Sequence, residues 1–149
     1  MALPFQRLRD YPLLTAESYE VTSAKDKSYN CVAWALGADD DWIDHSGMTG
    51  TTWPAGIDDS GSVASWIALF AREGYSACDS DEAEQGFEKV AIYANGEEAT
   101  HVSRQLDGNK WRWASKLGGL EDIEHLALAN LECATYGAVA RILRRAQPD

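Results

Sequence analysis

The stretch KVAIYANGEEATHVSRQL, residues 89–106, decides the fold of this chain. Its first part, residues 89–94, follows the period of two that is typical of a β-strand, and its last part, residues 100–106, does so again. Asn95-Gly96 lies between the two parts, and this dipeptide is a strong signal for a tight hairpin turn. The stretch therefore predicts two neighbouring antiparallel strands.

A third strand and two preceding helices complete the pattern around this hairpin. Asp107-Gly108 marks another tight turn, and residues 110–115 continue the period of two, which predicts an antiparallel meander. Residues 31–36 and 62–72 predict helices. The second of these has apolar residues at helical spacing: Val63, Trp66, Ile67 and Phe70. Helices followed by a run of antiparallel strands indicate an α+β fold.

The remaining segments are less regular. Residues 1–27 show little periodicity and predict an irregular lead-in, and the composition of residues 38–61 predicts a long loop. Residues 75–78 fit a short strand. Residues 120–131 predict a third helix, and residues 136–143 fit a strand or a helix equally well. The proposed apolar side of the third helix comprises Ile123, Leu126, Ala127 and Leu131.

Composition and charge limit the classes of function. A chain of 149 residues predicts a single domain, residues 1–149. A formal net charge of −11 argues against nucleic acid or an anionic membrane as the partner. The N-terminus has no long apolar run, so we expect no signal peptide, no transmembrane segment and a cytoplasmic location.

Cysteine usage and motifs give further expectations. The three cysteines are far apart and form no C-x-x-C pair, which indicates a reducing compartment and argues against a structural zinc site. Nucleotide-binding and metalloprotease motifs are absent from the sequence. We therefore expect no metal and no cofactor.

Cys31 is the candidate nucleophile. Asn30 before it is a good helix N-cap, and Gly37 supplies a helix end, so the thiol falls on the first helical position. Unpaired backbone N–H groups at a helix start favour a thiolate, which is the reactive form of cysteine. A small buried hydrophobic residue is the alternative role, and it is the common one for a free cysteine.

A cysteine nucleophile needs a base, and the chain has three histidines. His45 lies in the acidic loop, where we expect it to be solvated. His125 lies in the predicted third helix, where we expect it to be exposed. His101 begins the second strand, and a sheet packed on the first helix would bring its ring towards Cys31. A half-buried strand histidine with a satisfied ring is the alternative.

The residue that would orient His101 depends on the register of the next hairpin. If residues 108–109 form a two-residue loop, His101 faces Lys116, which cannot accept a hydrogen bond while it is protonated. A one-residue change in the turn places His101 opposite Ser115, which could hold the ring in one tautomer. The strand backbone or a water molecule could serve instead.

An attacked carbonyl also needs N–H donors for its oxyanion. The backbone amide of Cys31 is one candidate. The side-chain amide of Asn30 is another, although an Asn30 that caps the helix would point its oxygen towards the helix.

These residues resemble a known superfamily. A cysteine that opens a helix, followed by a histidine that opens a strand of an antiparallel sheet, resembles the papain-like superfamily, especially compact bacterial NlpC-type peptidases. Local strings over residues 28–143 resemble an uncharacterised bacterial domain family with the same order of blocks. The strings are YNCVAWALG (29–37), WP (53–54), GFEKVAIY (86–93), THVSRQL (100–106) and SKLG (115–118).

The resemblance implies a papain-like fold in which N-terminal helices pack on an antiparallel sheet. It implies Cys31 as nucleophile and His101 as general base. The third residue of that superfamily, commonly His, Asn, Gln or Asp on the following strand, has no counterpart here, where only Ser115 and Lys116 are near. The segment before Cys31 also lacks a glutamine that could donate to the oxyanion.

The sequence thus predicts a cysteine-dependent hydrolase or acyl-transfer enzyme that acts on a peptide or a small-molecule amide. His101 would take the proton of Cys31, and the thiolate would attack the carbonyl. The cleft would lie between the first helix and the sheet, with Trp42 and Trp53 as a wall. Two alternatives stay open. One is a non-catalytic acidic module that binds or neutralises a protein partner such as a toxin, and the other is a deamidase or transferase effector.

Overall fold

The computed structural model describes residues 2–38, 40–106, 112–117 and 119–147. Its elements follow one another as α1 (Phe5–Asp10), β1 (Tyr19–Ser23), α2 (Cys31–Ala35), α3 (Val63–Arg72), β2 (Ser76–Cys78), β3 (Phe87–Asn95), β4 (Glu98–Gln105), β5 (Trp113–Lys116), β6 (Asp122–His125), a 3-10 helix (Leu128–Leu131) and β7 (Ala138–Ala146). The fold is therefore a mixture of helices and antiparallel sheet. None of the helices in the described ranges has the length and apolar character that crossing a membrane requires.

The strands form one seven-stranded sheet in the order β1-β6-β5-β4-β3-β7-β2, and the strand pairs are antiparallel. The predicted hairpin of β3 and β4 is confirmed, with Tyr93 opposite His101 and a bulge directly after this pair. Gly96 in the turn has a φ of +60°, a backbone conformation that favours glycine. The predicted strand over residues 75–78 is confirmed as β2.

Both faces of the central strand β3 are buried, because successive side chains of a strand point to opposite faces. Tyr93 belongs to a first hydrophobic cluster, together with residues of the N-terminal segment, β5, β6 and the 3-10 helix. Ile92 belongs to a second cluster, which α2 and α3 cover. The sheet therefore separates two cores, and side chains of β4 must point to one or the other.

The two predicted helices before the sheet are confirmed. The Ser62 hydroxyl caps α3 by accepting a hydrogen bond from the backbone N–H of Ser65 at 3.1 Å. Gly74, with a φ of +94°, follows the end of this helix. Trp66 and Phe70 of the predicted apolar face are buried together with Leu69, whereas Val63 and Ile67 are only partly buried.

The predicted third helix over residues 120–131 is wrong. This segment forms β6 and then the short 3-10 helix, and Leu126 between them is exposed. β6 pairs with β1 on one side and with β5 on the other. These pairings join segments that are distant in sequence, and they outweigh the local apolar spacing that suggested a helix.

The ends of the chain also differ from the sequence prediction. The lead-in of residues 1–27 is not wholly irregular, because it contains α1 and the edge strand β1. The segment that fitted a strand or a helix is a strand, β7, and it lies between β3 and β2. The predicted third strand begins at Trp113 among the described residues, while residues 110–111 and the Asp107-Gly108 turn lie outside them.

Candidate functional site

Asn30 positions the start of α2 and ties it to the long loop. Its Oδ1 accepts hydrogen bonds from the backbone N–H of Ala33 at 3.1 Å and of Ile43 at 3.2 Å. Its Nδ2 donates to the carbonyl of Ile43 at 2.7 Å. The predicted N-cap is confirmed. The side-chain amide uses one of its two N–H donors on Ile43, and the oxyanion role of Asn30 stays a prediction.

Replacing Asn30 by alanine is expected to lower the free energy of unfolding by about 2 kcal/mol, because the helix cap and both contacts to Ile43 are lost. The matched control is Ser62→Ala, which removes the cap of α3 and an exposed hydrogen bond from Ser60 and should lower the free energy of unfolding by about 1 kcal/mol. Urea denaturation followed by circular dichroism measures both. Equal losses of unfolding free energy in the two variants would mean that the contacts of Asn30 to Ile43 add nothing to stability.

Cys31 opens α2 and is buried, with 8% of its surface exposed. The backbone N–H of Val102, the residue after His101, lies near its sulfur and favours the thiolate. Burial raises the pKa of the thiol to about 11, although the N–H groups of Val102 and of α2 oppose the rise. The thiol is therefore neutral in this structure at pH 7.

His101 is buried in the first core, with 1% of its surface exposed. Its ring stacks on Tyr136 with the ring centroids 4.2 Å apart and the planes 4° from parallel, and Tyr93 flanks it at 5.2 Å. Neither ring nitrogen has a hydrogen-bond partner within the described part of the chain. Burial, aided by nearby His125, holds the pKa of this imidazole well below its ordinary value.

Ser115 lies in a buried hydrogen-bonded chain that does not include His101. Its hydroxyl is 2.7 Å from the Ser103 hydroxyl and 2.8 Å from Nε2 of His125. Nδ1 of His125 lies 3.0 Å from the carbonyl of Ala127, which can only accept, so Nδ1 donates and Nε2 accepts from Ser115. Beyond Ser103, the chain continues to the hydroxyl of Tyr93 at 3.3 Å.

The strand register explains why Ser115 does not orient His101. Arg104 lies opposite Ala114, one position away from the register in which His101 faces Lys116. In the observed register Ser103 is the residue that meets Ser115. The predicted contact between His101 and Ser115 is therefore wrong.

The packing of α2 on β4 brings Cys31 and His101 into the same region, but their side chains form no hydrogen bond with each other. Cys31 belongs to the second core, whereas His101 packs on Tyr93 and Tyr136 of the first. β4 pairs with β5 only at Arg104 and Gln105, so the ladder between these strands has ended at the level of His101. A hydrogen bond between the thiol and the imidazole therefore requires the His101 side chain to turn towards α2.

The other two histidines differ from expectation. His125 is a fully buried strand residue rather than an exposed helical one, and burial lowers its pKa to about 4. His45 is only partly exposed, and its ring meets Trp53 edge-on at 6.1 Å. Within the described ranges, no group of three or more His, Cys, Asp or Glu residues could hold a metal ion.

The sequence patterns did not predict that His125 and Lys116 are buried. The signal for His125 is slight: it stands two residues after Ile123, the spacing of one strand face, in a strand of four residues. The sequence names Lys116 only as a residue that could face His101, and a protonated lysine cannot accept a hydrogen bond from that ring.

The comparisons with known proteins place the chain in a family. The model of the Domain of unknown function (DUF7689) matches residues 20–144, a range that includes the residues described above from Asn30 to Tyr136. No curated protein and no solved structure matches the chain. The match covers most of the sequence, and the chain belongs to the family of the Domain of unknown function (DUF7689).

Proposed function

We propose that this protein is a cysteine-dependent hydrolase or acyl-transfer enzyme on a papain-like scaffold, with Cys31 as nucleophile and His101 as general base. The proposal rests mainly on one observation. The Cys31 sulfur is held against the backbone of β4 beside His101, whose two ring nitrogens are buried without partners within the described ranges. Buried unpaired polar atoms are costly and rare, and one explanation is a partner gained in function.

The proposed reaction uses the ordinary chemistry of this residue pair. His101 turns towards α2 and takes the thiol proton, and the thiolate of Cys31 attacks an amide or ester carbonyl. The carbon–sulfur bond forms as the amine or alcohol leaves with the proton from His101. Water or an acceptor amine then releases the acyl group and restores the thiol.

The burial of the pair implies a closed resting state. Cys31 and His101 are both nearly inaccessible, so substrate entry must accompany an opening of the second core beside α2. Ile43, Trp53 and Ile57 of the long loop pack against this core, and Asn30 fastens the loop to α2 through Ile43. A substrate carbonyl would reach the thiol from that side.

The test is formation of a thioester at Cys31. The protein is incubated with p-nitrophenyl acetate, and acetylation of each cysteine is followed by peptide mass spectrometry, with Cys78 and Cys133 as internal references. We expect Cys31 to be acylated fastest, and His101→Ala to slow this step at least about 100-fold, the usual range for loss of a general base. The matched control, His45→Ala, should leave the rate unchanged.

The opposite outcome would favour a second function, a non-catalytic acidic binding module. The specific observation behind it is that burial holds both Cys31 and His101 in their neutral forms. In that case Cys31 would react more slowly than Cys78 and Cys133, and His101→Ala would not change its rate. The net charge of −11 would then point to a cationic protein partner.

A further inference from the structure

Two lysines have side chains that are almost completely buried, and their surroundings differ. Nζ of Lys89 donates to the carbonyls of Ser80 and Glu82 and forms an ion pair with Glu84 at 2.9 Å. Nζ of Lys116 likewise donates to two carbonyls, those of Asp26 and Leu120. Within the described ranges, however, no carboxylate is close enough to Lys116 to form an ion pair.

A buried ammonium group without an ion-pair partner is unfavourable, so its position needs a reason. Burial lowers the pKa of Lys116, while charges around it oppose this change. The nearest acidic side chain by strand register is Asp122, directly opposite on β6. Its carboxylate accepts hydrogen bonds from Ser23 and Tyr29 instead.

The location of Lys116 connects it to the segment that leads into Cys31. Its Nζ is 2.6 Å from the carbonyl of Asp26 and 4.7 Å from the centre of the Tyr29 ring, two residues before Cys31. A cation above an aromatic face is attracted to it. α2 itself packs against β4 and β5, the strand that carries Lys116.

We propose that Lys116 is a positioning residue of the Cys31 site: it holds the segment before α2 against β5 and supplies the positive charge that stabilises the Cys31 thiolate. This inference rests on the proposed function, because a stabilised thiolate matters only if Cys31 is a nucleophile. A negative charge on Cys31 would in turn favour the ammonium form of Lys116, although Asp122, Asp26 and Glu121 act on it more strongly.

The other charged and titratable groups around the two residues define what the experiment must separate. The groups that act on Lys116 are Asp26, Cys31, Glu121 and Asp122, with the Tyr29 ring beneath it. The carboxylate of Asp44 disfavours the Cys31 thiolate. A negative charge on Cys31 also raises the pKa of the buried Tyr136 hydroxyl. Lys116 is the positively charged side chain in this set of groups.

The experiment is the pH dependence of Cys31 alkylation by iodoacetamide, read by peptide mass spectrometry. Lys116→Gln keeps a polar side chain with two N–H donors, one bond shorter than lysine, and removes the charge. We expect the inflection for Cys31 to move up by about one pH unit, a tenfold loss of thiolate at a fixed pH. Lys89→Gln is the matched control and should leave the inflection in place.

An unchanged inflection in folded Lys116→Gln would overturn the inference. A second measurement uses the unaltered protein, so it does not depend on the folding of a variant. The ratio of the rates with anionic iodoacetate and neutral iodoacetamide should be at least about threefold higher at Cys31 than at Cys78 and Cys133, because a nearby cation attracts the anion. Equal ratios would also overturn it.

These outcomes are distinct from failure of the proposed function. Thioester formation tests whether Cys31 and His101 perform acyl transfer, whereas alkylation tests only the charge that acts on the thiol. If the inflection shifts in Lys116→Gln but no thioester forms at Cys31, the effect of the Lys116 charge is supported. The catalytic role of Cys31 is then refuted.

Discussion

Acidification from pH 7 to pH 5 is expected to lower the free energy of unfolding by about 2 kcal/mol through His125 alone. Burial lowers the pKa of His125 from 6.5 to about 4 in the folded protein, so the unfolded chain binds a proton first. Stability from this source is complete above pH 6.5 and is lost as the pH falls towards 4, where the loss reaches about 3 kcal/mol. Buried His101, whose pKa is also lowered, adds to the loss in the same direction.

Urea denaturation at half-unit steps of pH measures this effect. His101→Phe should flatten the slope, since the phenyl ring can keep the stacking on Tyr136 and cannot be protonated. The same variant should be more stable than the wild type at pH 7, by about 1–3 kcal/mol, because two buried unpaired nitrogens are removed. The control is His45→Gln, at a partly exposed site. A stability that does not change between pH 7 and pH 5 would contradict the neutral buried histidines.

Replacing Gly137 by alanine is expected to lower the free energy of unfolding by about 3 kcal/mol. A Cβ at this position would lie 2.0 Å from the backbone carbonyl oxygen of Ala94 on β3, and the φ of +73° adds strain for any L side chain. Because the obstacle is backbone, rotation of a side chain cannot relieve it. Gly137 therefore marks the point where the chain entering β7 passes closest to β3.

Gly96→Ala is the matched control for this prediction. Gly96 also has a positive φ, of +60°, but a Cβ there would meet nothing within 4 Å. Gly96→Ala should lower the free energy of unfolding by about 1 kcal/mol, which is the contribution of backbone strain alone. Thermal unfolding of both variants separates steric overlap from backbone strain, and equal losses would mean that the contact with Ala94 relaxes freely.

The local pattern of the sequence was sufficient for the central hairpin and for both helices before it. Asn30, Ser62 and the Asn95-Gly96 turn act on residues within a few positions of themselves, and the structure has each as predicted. The α+β class followed from the order of these elements. Such features depend on short-range chemistry, which a single sequence displays.

The pairing of strands that are distant in sequence could not be predicted from local patterns. β6 becomes a strand because β1 and β5 flank it, and the spacing of Ile123 and His125 is only a slight local signal for it. The register of the β4–β5 pair differs by one position from the register that places His101 opposite Lys116, and by two from the register that places it opposite Ser115. Ser103 therefore meets Ser115 instead. The sequence therefore predicted only part of the candidate site. It predicted the Asn30 cap and the start of α2 at Cys31, but it did not predict the burial of His125 and Lys116.

The place of β7 in the sheet has a consequence for how the protein is made. This strand lies between β3 and β2, and the described pairing of β2 is with β7 alone. A ribosome delivers residues 138–146 after β2 and β3, so β2 has no partner and one edge of β3 stays open until β7 emerges. The sheet is therefore completed only once β7 has been made. Until then the exposed edge of β3 is a surface for chaperones to cover.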